Sequence, residues 1–231
     1  MDVLGDIIGR DRRTDAPALV APAVGRDYDY RRFCTTAWKT GNFLRHLGVR
    51  GGAGVAVADD PLPEPVLTLY GAALLGGVVS FGPPSELDSP RAIVAPAADI
   101  DAEAVEPGTK PVAYGDDPGD PTVAYFERDV WSENPTEPPD HIAGTDPLLR
   151  AGEERYSHGD VLTAARTAID DHGIDDGTTV AVGGSFRSPG VVAAGLVAPI
   201  VAGGTVAVGP APEGDVQVGG EGSDVETDAL L

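Results

Sequence analysis

The chain resembles itself, and this constrains its fold more than any other feature. One copy runs from Tyr30 to Pro84: an Arg-rich helical start, then LGVRGGAGVAVADD, then PEPVLTLYGAALLGGVVSFGPP. The other runs from Tyr156 to Pro212: SHGDVLTAARTAIDDHGIDDGTTVAVGG, then SPGVVAAGLVAPIVAGGTVAVGPAP. Gly54-Val55-Ala56-Val57 aligns with Thr179-Val180-Ala181-Val182, Gly76-Gly77 with Gly203-Gly204, and Gly82-Pro83 with Gly209-Pro210. Whatever one copy folds into, the other is expected to fold into as well.

Each copy reads as helix, strand, helix, strand. Ser157 with Asp160 three residues on predicts a capping box, and Val161, Leu162, Ala165, Ala168 and Ile169 follow at helical spacing. Phe33, Ala37, Leu44 and Leu47 do the same in the first copy, and Gly48 and Gly173 stop the two helices. Short apolar strands follow at Val55–Val57 and Thr179–Val182. Proline-initiated helices come next, Pro65–Leu75 and Pro189–Val201, then strands at Val78–Phe81 and Thr205–Val208. Continuous apolar strands alternating with helices predict a parallel sheet covered on both faces. The expected fold class is α/β: two pseudo-repeated α/β subdomains with mostly parallel sheets flanked by helices. The expected segments are a first repeat over 11–84, connecting strands and a loop over 85–146, a second repeat over 147–212, and an acidic disordered tail over 213–231. Within 85–146, strands are expected at Ala92–Ala95, Pro111–Tyr114 and Thr122–Phe126, and an exposed loop over 131–145.

Charge excludes whole classes of function. Asp and Glu number 37 against 16 Lys and Arg, a formal net charge of −21. Nucleic-acid phosphates and an anionic membrane surface would both be repelled. The only lysines are Lys39 and Lys110. Acidity far beyond what solubility needs, with lysine this scarce, reads as adaptation to a high-salt cytosol, where the Debye length falls to ~3 Å at 1 M. Cys34 is the sole cysteine, so no internal disulfide forms, and a reducing, cytoplasmic setting is expected. The start, Met-Asp-Val-Leu-Gly-Asp, lacks the features of a secretory signal. The uncharged stretches 65–85 and 188–212 are long enough to span a bilayer, but Gly-Gly pairs break both, so each reads as a buried helix, a turn and a strand.

The ordered series of segments resembles the N-terminal part of the adenylate-forming superfamily, the AMP-dependent synthetases and acyl-CoA ligases. Asp15-Ala16-Pro17-Ala18-Leu19-Val20 resembles the opening strand, and Tyr28-Asp29-Tyr30-Arg31-Arg32 the entry to the first long helix. Leu47-Gly48-Val49 through Val55-Ala56-Val57 resembles "LGV-x-x-GD-x-VA". Tyr70 through Gly77-Val78, followed by Phe81-Gly82-Pro83, resembles the next family segment. Ser157-His158-Gly159-Asp160-Val161-Leu162 resembles the "sHgNl" helix start, and Gly195-Leu196 through Gly203-Gly204-Thr205-Val206 the strand entry after it. The resemblance covers residues 11–212 and implies a large domain built of two pseudo-equivalent subdomains.

The departures from the family pattern are as informative. Members carry a Gly/Ser/Thr-rich loop ending in Pro-Lys-Gly before the "sHgNl" helix, which holds phosphates through backbone N–H groups and a lysine. Here Asp146-Pro147-Leu148-Leu149 leads straight into that helix, and the remnant of the phosphate-loop region is Arg150, Gly152, Glu153, Glu154, Ser157 and His158. Gly183-Gly184-Ser185-Phe186-Arg187 stands where the family often has an aromatic–His pair. The "YG-x-TE" and "TGD" segments and the small domain with its catalytic lysine are absent from the sequence. No catalytic residue, cofactor or metal site is expected.

Individual candidates carry little chemistry. His158 reads as a first-turn helix residue rather than a general base. His46, His141 and His172 lack partners at metal-ligand spacing. Asp59-Asp60, Asp116-Asp117, Asp170-Asp171 and Asp175-Asp176 read as solvated acidic surface. Ser185 fails the G-x-S-x-G pattern because Arg187 replaces the second glycine. Cys34 reads as buried, and Gly183-Gly184 as a tight turn rather than an anion cradle. The functional expectation is a degenerate ligase-like protein without catalytic activity that acts in interaction or regulation, beside a full-length synthetase or by self-association. The alternative is one half of a split AMP-forming acyl-CoA ligase completed by another polypeptide. A third reading is a binder of acyl chains or small carboxylates in the remnant cleft.

Overall fold

The computed structural model describes residues 1–83 and 89–231. The expected boundary at residues 84 and 85 lies outside the described residues. The chain forms an α/β fold of mostly parallel sheets flanked by helices.

Local chemistry explains the first elements. Strand β1 (Pro17–Ala21) turns into β2 (Arg26–Asp29), and Asp29 caps helix α1 (Tyr30–His46) by accepting the Arg32 N–H at 2.6 Å. Helix α1 buries Phe33, Cys34, Ala37, Trp38 and Leu44 along one face, and its chain is turned out of helix by Gly48 at φ +91°. Strand β3 (Gly54–Val57), helix α2 (Pro63–Ala73) and strand β4 (Val78–Phe81) follow. Helix α2 begins at Pro63, two residues before the expected Pro65, and every one of its residues is buried, the charged Glu64 included.

Then come β5 (Ala92–Pro96), β6 (Lys110–Tyr114), β7 (Ala124–Tyr125) and the short helix α3 (Phe126–Ser132). The expected strand Thr122–Phe126 is thus cut to two residues, and α3 occupies the start of the expected loop. Val130 stands four residues after Phe126, and both are buried. Strands β8 (Pro147–Ala151) and β9 (Glu154–Ser157) lead into α4 (His158–His172), which opens with the expected capping box and ends at Gly173 in the left-handed region. After β10 (Thr179–Val182), a helical stretch has three parts: α5 (Pro189–Val191), a π-helical Val192–Val197, and α6 (Ala198–Ala202). Strands β11 (Thr205–Ala207) and β12 (Val216–Val218) finish the sheet.

Among the described residues there are two sheets, ordered β12-β10-β11-β1-β2 and β7-β6-β5-β3-β4-β8-β9. Five strands of the second, β5-β3-β4-β8-β9, follow the order of the first. In each case an antiparallel hairpin with a register shift near its start (Pro17/Leu19; Pro147/Leu149) precedes a long helix. The hairpins are exchanged. β1 pairs in parallel with β11, and β8 with β4, so neither sheet belongs to one stretch of sequence. The expected subdomains over 11–84 and 147–212 therefore need correcting: each supplies strands to both sheets. Tyr30 bridges them as well, its hydroxyl donating to the Gly204 carbonyl at 2.8 Å.

Two terminal stretches also differ from expectation. Residues 213–231 are ordered at least in part, because β12 pairs with β10 through Val180↔Val216 and Val182↔Val218. A Gly- and acid-rich composition hides this strand, whose alternate valines Val216 and Val218 are buried against the core while Gln217 faces outward. At the other end, Leu4, Ile7 and Ile8 are buried in a 3₁₀ turn, and Trp38 Nε1 donates to the Ile8 carbonyl at 3.1 Å. No helix of the described residues is long and apolar enough to cross a membrane.

Candidate functional site

In open α/β sheets ligands sit outside the carboxyl ends of the parallel strands. Here those ends meet. Asp59, just beyond β3, accepts the Ser185 hydroxyl at 2.5 Å and the Phe186 N–H at 2.7 Å, both from the loop after β10. Phe81, at the end of β4, meets Phe186 edge to face with ring centroids 5.5 Å apart. Beside this junction lies a cleft of about 470 Å³ lined by Asp59, Asp60, Pro83, Val94, Asp99 and Arg187.

The cleft's polar groups are engaged in holding it. Tyr114, at the end of β6, donates its hydroxyl to Asp60 at 2.9 Å; burial, then the Asp60 charge, drives its acidity far below that of a free phenol. Ser185 is committed to Asp59, and its oxygen also takes the Arg187 N–H at 3.2 Å. Among the described residues no histidine lines this cleft, and the group that accepts the Ser185 proton is the Asp59 carboxylate. The amides of Gly183 and Gly184 both donate to the Val218 carbonyl, at 3.0 and 3.2 Å, so these glycines form a turn and cradle no anion. Sequence reasoning weighed Asp59 and Ser185 separately, as surface acid and failed nucleophile. Their contact joins residues 126 positions apart. No local signal could have paired them.

The residues expected to be the remnant of a phosphate loop fall into two groups at opposite ends of β9. At one end β8 and β9 close on a tight hairpin: Ala151 pairs with Glu154, leaving Gly152-Glu153 as the turn. Gly152 takes φ +61°, the sign a first turn residue needs in a hairpin of this length. Its carbonyl accepts Arg150 Nε at 2.8 Å, and Tyr156 donates its hydroxyl to Glu154 at 2.7 Å, which raises the phenol's pKa. The tip presents the exposed Glu153 and Glu154 carboxylates to solvent.

At the other end, Ser157 and Asp160 cap α4 through reciprocal hydrogen bonds, so the serine hydroxyl is occupied. His158 points into the core, fully buried, and its Nδ1 accepts the Leu4 N–H at 3.2 Å. An accepting Nδ1 leaves the proton on Nε2, which is buried with no hydrogen-bond partner among the described residues. Burial lowers the His158 pKa from 6.5 to about 4, against the opposing pull of Asp146 and Asp6. This imidazole ties the N-terminal turn to α4 and is no general base.

A pH prediction follows. The unfolded imidazole binds its proton more tightly than the folded one, so stability is complete above about pH 6.5 and falls as pH drops toward 4. The loss reaches about 3 kcal/mol at the lower end. Denaturant midpoints measured from pH 7 to 4 should show this slope in the parent and a flatter one in His158→Gln. Equal slopes would place the effect in other groups.

The remaining candidates are dispersed. His46 contacts Glu133 at 2.8 Å on the surface. His141 lines a separate hollow with Asp140, and His172 sits in the last turn of α4. Asp117 and Asp175 accept backbone amides within their own turns, from Gly119 and Gly177. Asp116, Asp170, Asp171 and Asp176 join no cluster of three potential metal ligands among the described residues. Cys34 is buried, and burial pushes its thiol up to about 11, so it is unreactive.

No family model and no curated protein matches the chain. Solved structures do. An anthranilate CoA ligase, AuaEII, in complex with anthranoyl-AMP superposes with a TM-score of 0.75 at 17% identity, over 90% of this chain and 45% of that one. The N-terminal domain of FACL13 from Mycobacterium tuberculosis gives 0.72 at 20% identity, over 91% and 57%. A benzoate CoA ligase from Burkholderia xenovorans LB400 gives 0.74 at 16% identity, over 94% and 45%. The chain spans about half the length of these proteins. The fold is that of the N-terminal domain of acyl-CoA synthetases.

Proposed function

We propose that this chain is a degenerate AMP-dependent synthetase or acyl-CoA ligase-like protein that does not catalyse ligation and acts as an interaction or regulatory protein. The observation that carries this reading is the β8–β9 hairpin. Where the resemblance calls for a phosphate-binding loop, the chain closes in the turn Gly152-Glu153 with carboxylates at its tip. Phosphate loops work because several backbone N–H groups converge on the anion with a lysine beside them. A tight hairpin lends its amides to the ladder instead, the Glu153 and Glu154 carboxylates offset the charges of Arg150 and Arg155 behind them, and the only lysines are Lys39 and Lys110. Arg187, in place of the family's histidine, supports the same reading. The matching strand orders of the two sheets support a duplicated origin for the two halves. The net charge of −21 with so few lysines supports a working environment of high salt in a cytoplasm.

Calorimetric titration of ATP and AMP, with magnesium in molar KCl, tests the proposal. No heat is expected up to millimolar nucleotide. Micromolar binding would overturn it and move the split-ligase reading to the front.

A further inference from the structure

A second hollow lies away from the cleft, where β2, α1, α2 and α3 meet. Its volume is about 250 Å³, at the small end of ordinary ligand sites (roughly 300–1,000 Å³). Leu67, Phe126 and Val130 give it an apolar lining, and Tyr28 and Trp131 add aromatic faces. Trp131 is 72% exposed, a large ring left open to solvent at the mouth.

The charges here run against those of the chain. Glu64 and Glu127 share the one Arg26 guanidinium, so three cations, Arg26, Arg32 and Lys39, face two carboxylates in this lining. Arg32 and Lys39, one face of α1 apart by seven residues, also line the hollow, and neither makes an ion pair among the described residues. The Arg32 guanidinium lies 4.5 Å from the Tyr28 ring centre and donates one N–H to the Asp27 carbonyl. Lys39 Nζ lies 4.9 Å from the Trp131 ring centre and donates to the Trp131 carbonyl at 2.6 Å. Each cation is thereby held in place with donors to spare. The lining is net positive on a protein of net charge −21.

We propose that this hollow binds a small aromatic anion: one ring against Trp131 and the apolar lining, its anionic group between Arg32 and Lys39. The inference goes beyond the proposed function and uses neither the hairpin nor the cleft. An anion of this size matches the volume. The ring answers the exposed indole, and direct contact with a half-buried lysine is screened by salt less than a surface pair would be.

The two tryptophans make the test specific. Trp38 is buried, 1% exposed, so a ligand in the hollow perturbs the emission of Trp131. 3-Phenylpropanoate and phenyl phosphate would be titrated in molar KCl at pH 7, with 3-phenylpropanamide as the uncharged control, by fluorescence and calorimetry. Saturable binding with a change in emission is expected for at least one anion, and the tighter of the two identifies the head group. The amide should bind at least tenfold more weakly. Arg32→Gln and Lys39→Gln should each weaken the anion at least fivefold, while Arg50→Gln, exposed elsewhere, leaves it unchanged. Arg32 is exposed, so its replacement keeps the test open if the Lys39 variant folds poorly. No saturation by either anion, equal binding of the amide, binding without a change in emission, or an affinity unchanged from the parent in both variants would overturn the proposal.

Discussion

Replacing Arg26 with Met is expected to lower the stability of the fold by about 3 kcal/mol. Glu64 stands in the first turn of α2 with its side chain only 3% exposed, and Arg26 on β2 is its ion-pair partner. Glu127 on α3 meets the same guanidinium at 3.6 Å. Without Arg26, a buried carboxylate loses its counter-charge and faces a second carboxylate. Arg26 is itself about a third exposed, 32%, so water reaches the site and the lower end of the usual ~3–5 kcal/mol range applies. The double variant Arg26→Met/Glu64→Leu should recover part of the loss, since it removes the buried Glu64 carboxylate and leaves only the less buried Glu127 without its counter-charge. Denaturant unfolding of the parent, the single and the double variant in molar KCl measures all three. A single variant within 1 kcal/mol of the parent would mean that Glu64 finds another partner.

Phe186→Ala is expected to cost about 3 kcal/mol as well, through a different cause. The ring is 2% exposed and packs edge to face on Phe81, so its removal leaves a cavity where the two sheets' strand ends meet. Phe186→Leu should cost roughly half as much, because most of the volume is kept. Both variants retain the backbone N–H that Asp59 accepts, so the difference between them reads side-chain packing alone. Equal losses would show that the edge-to-face contact, rather than filled volume, carries the junction.

Much of the architecture is legible in the sequence. The cap at Ser157, the stops at Gly48 and Gly173, the proline at the start of the second-copy helix and the strands at Val78–Phe81 and Thr179–Val182 all stand where their patterns place them. Each is written within a few residues. A serine hydroxyl reaches an amide three residues on, and a glycine takes a positive φ by its own lack of a side chain. Glu64 was missed: it stands just before the expected helix start at Pro65, and its burial and its partner Arg26 are visible only in the structure.

The candidate site was legible only in part. The short stretch before Ser157 is visible in the sequence, and the hairpin Gly152-Glu153 that it forms is visible only in the structure. The acids at Asp59 and Asp60 read as solvated surface; Asp59 is exposed and Asp60 partly buried, but both carboxylates are engaged, Asp59 by Ser185 and Asp60 by Tyr114.

The sequence by itself determined where the helices and strands of the two copies lie to within a few residues, that the fold is α/β, and that the chain is strongly acidic. Those properties depend on neighbours along the chain and on composition. Only the tertiary structure decided that β1 pairs with β11 and β8 with β4, that residues 216–218 complete a sheet, and that His158 is sealed under Leu4. Backbone hydrogen bonds carry no side-chain label. Any apolar strand can pair with any other in local terms, and the choice falls to which arrangement buries the most apolar surface while leaving the fewest buried polar groups unmatched.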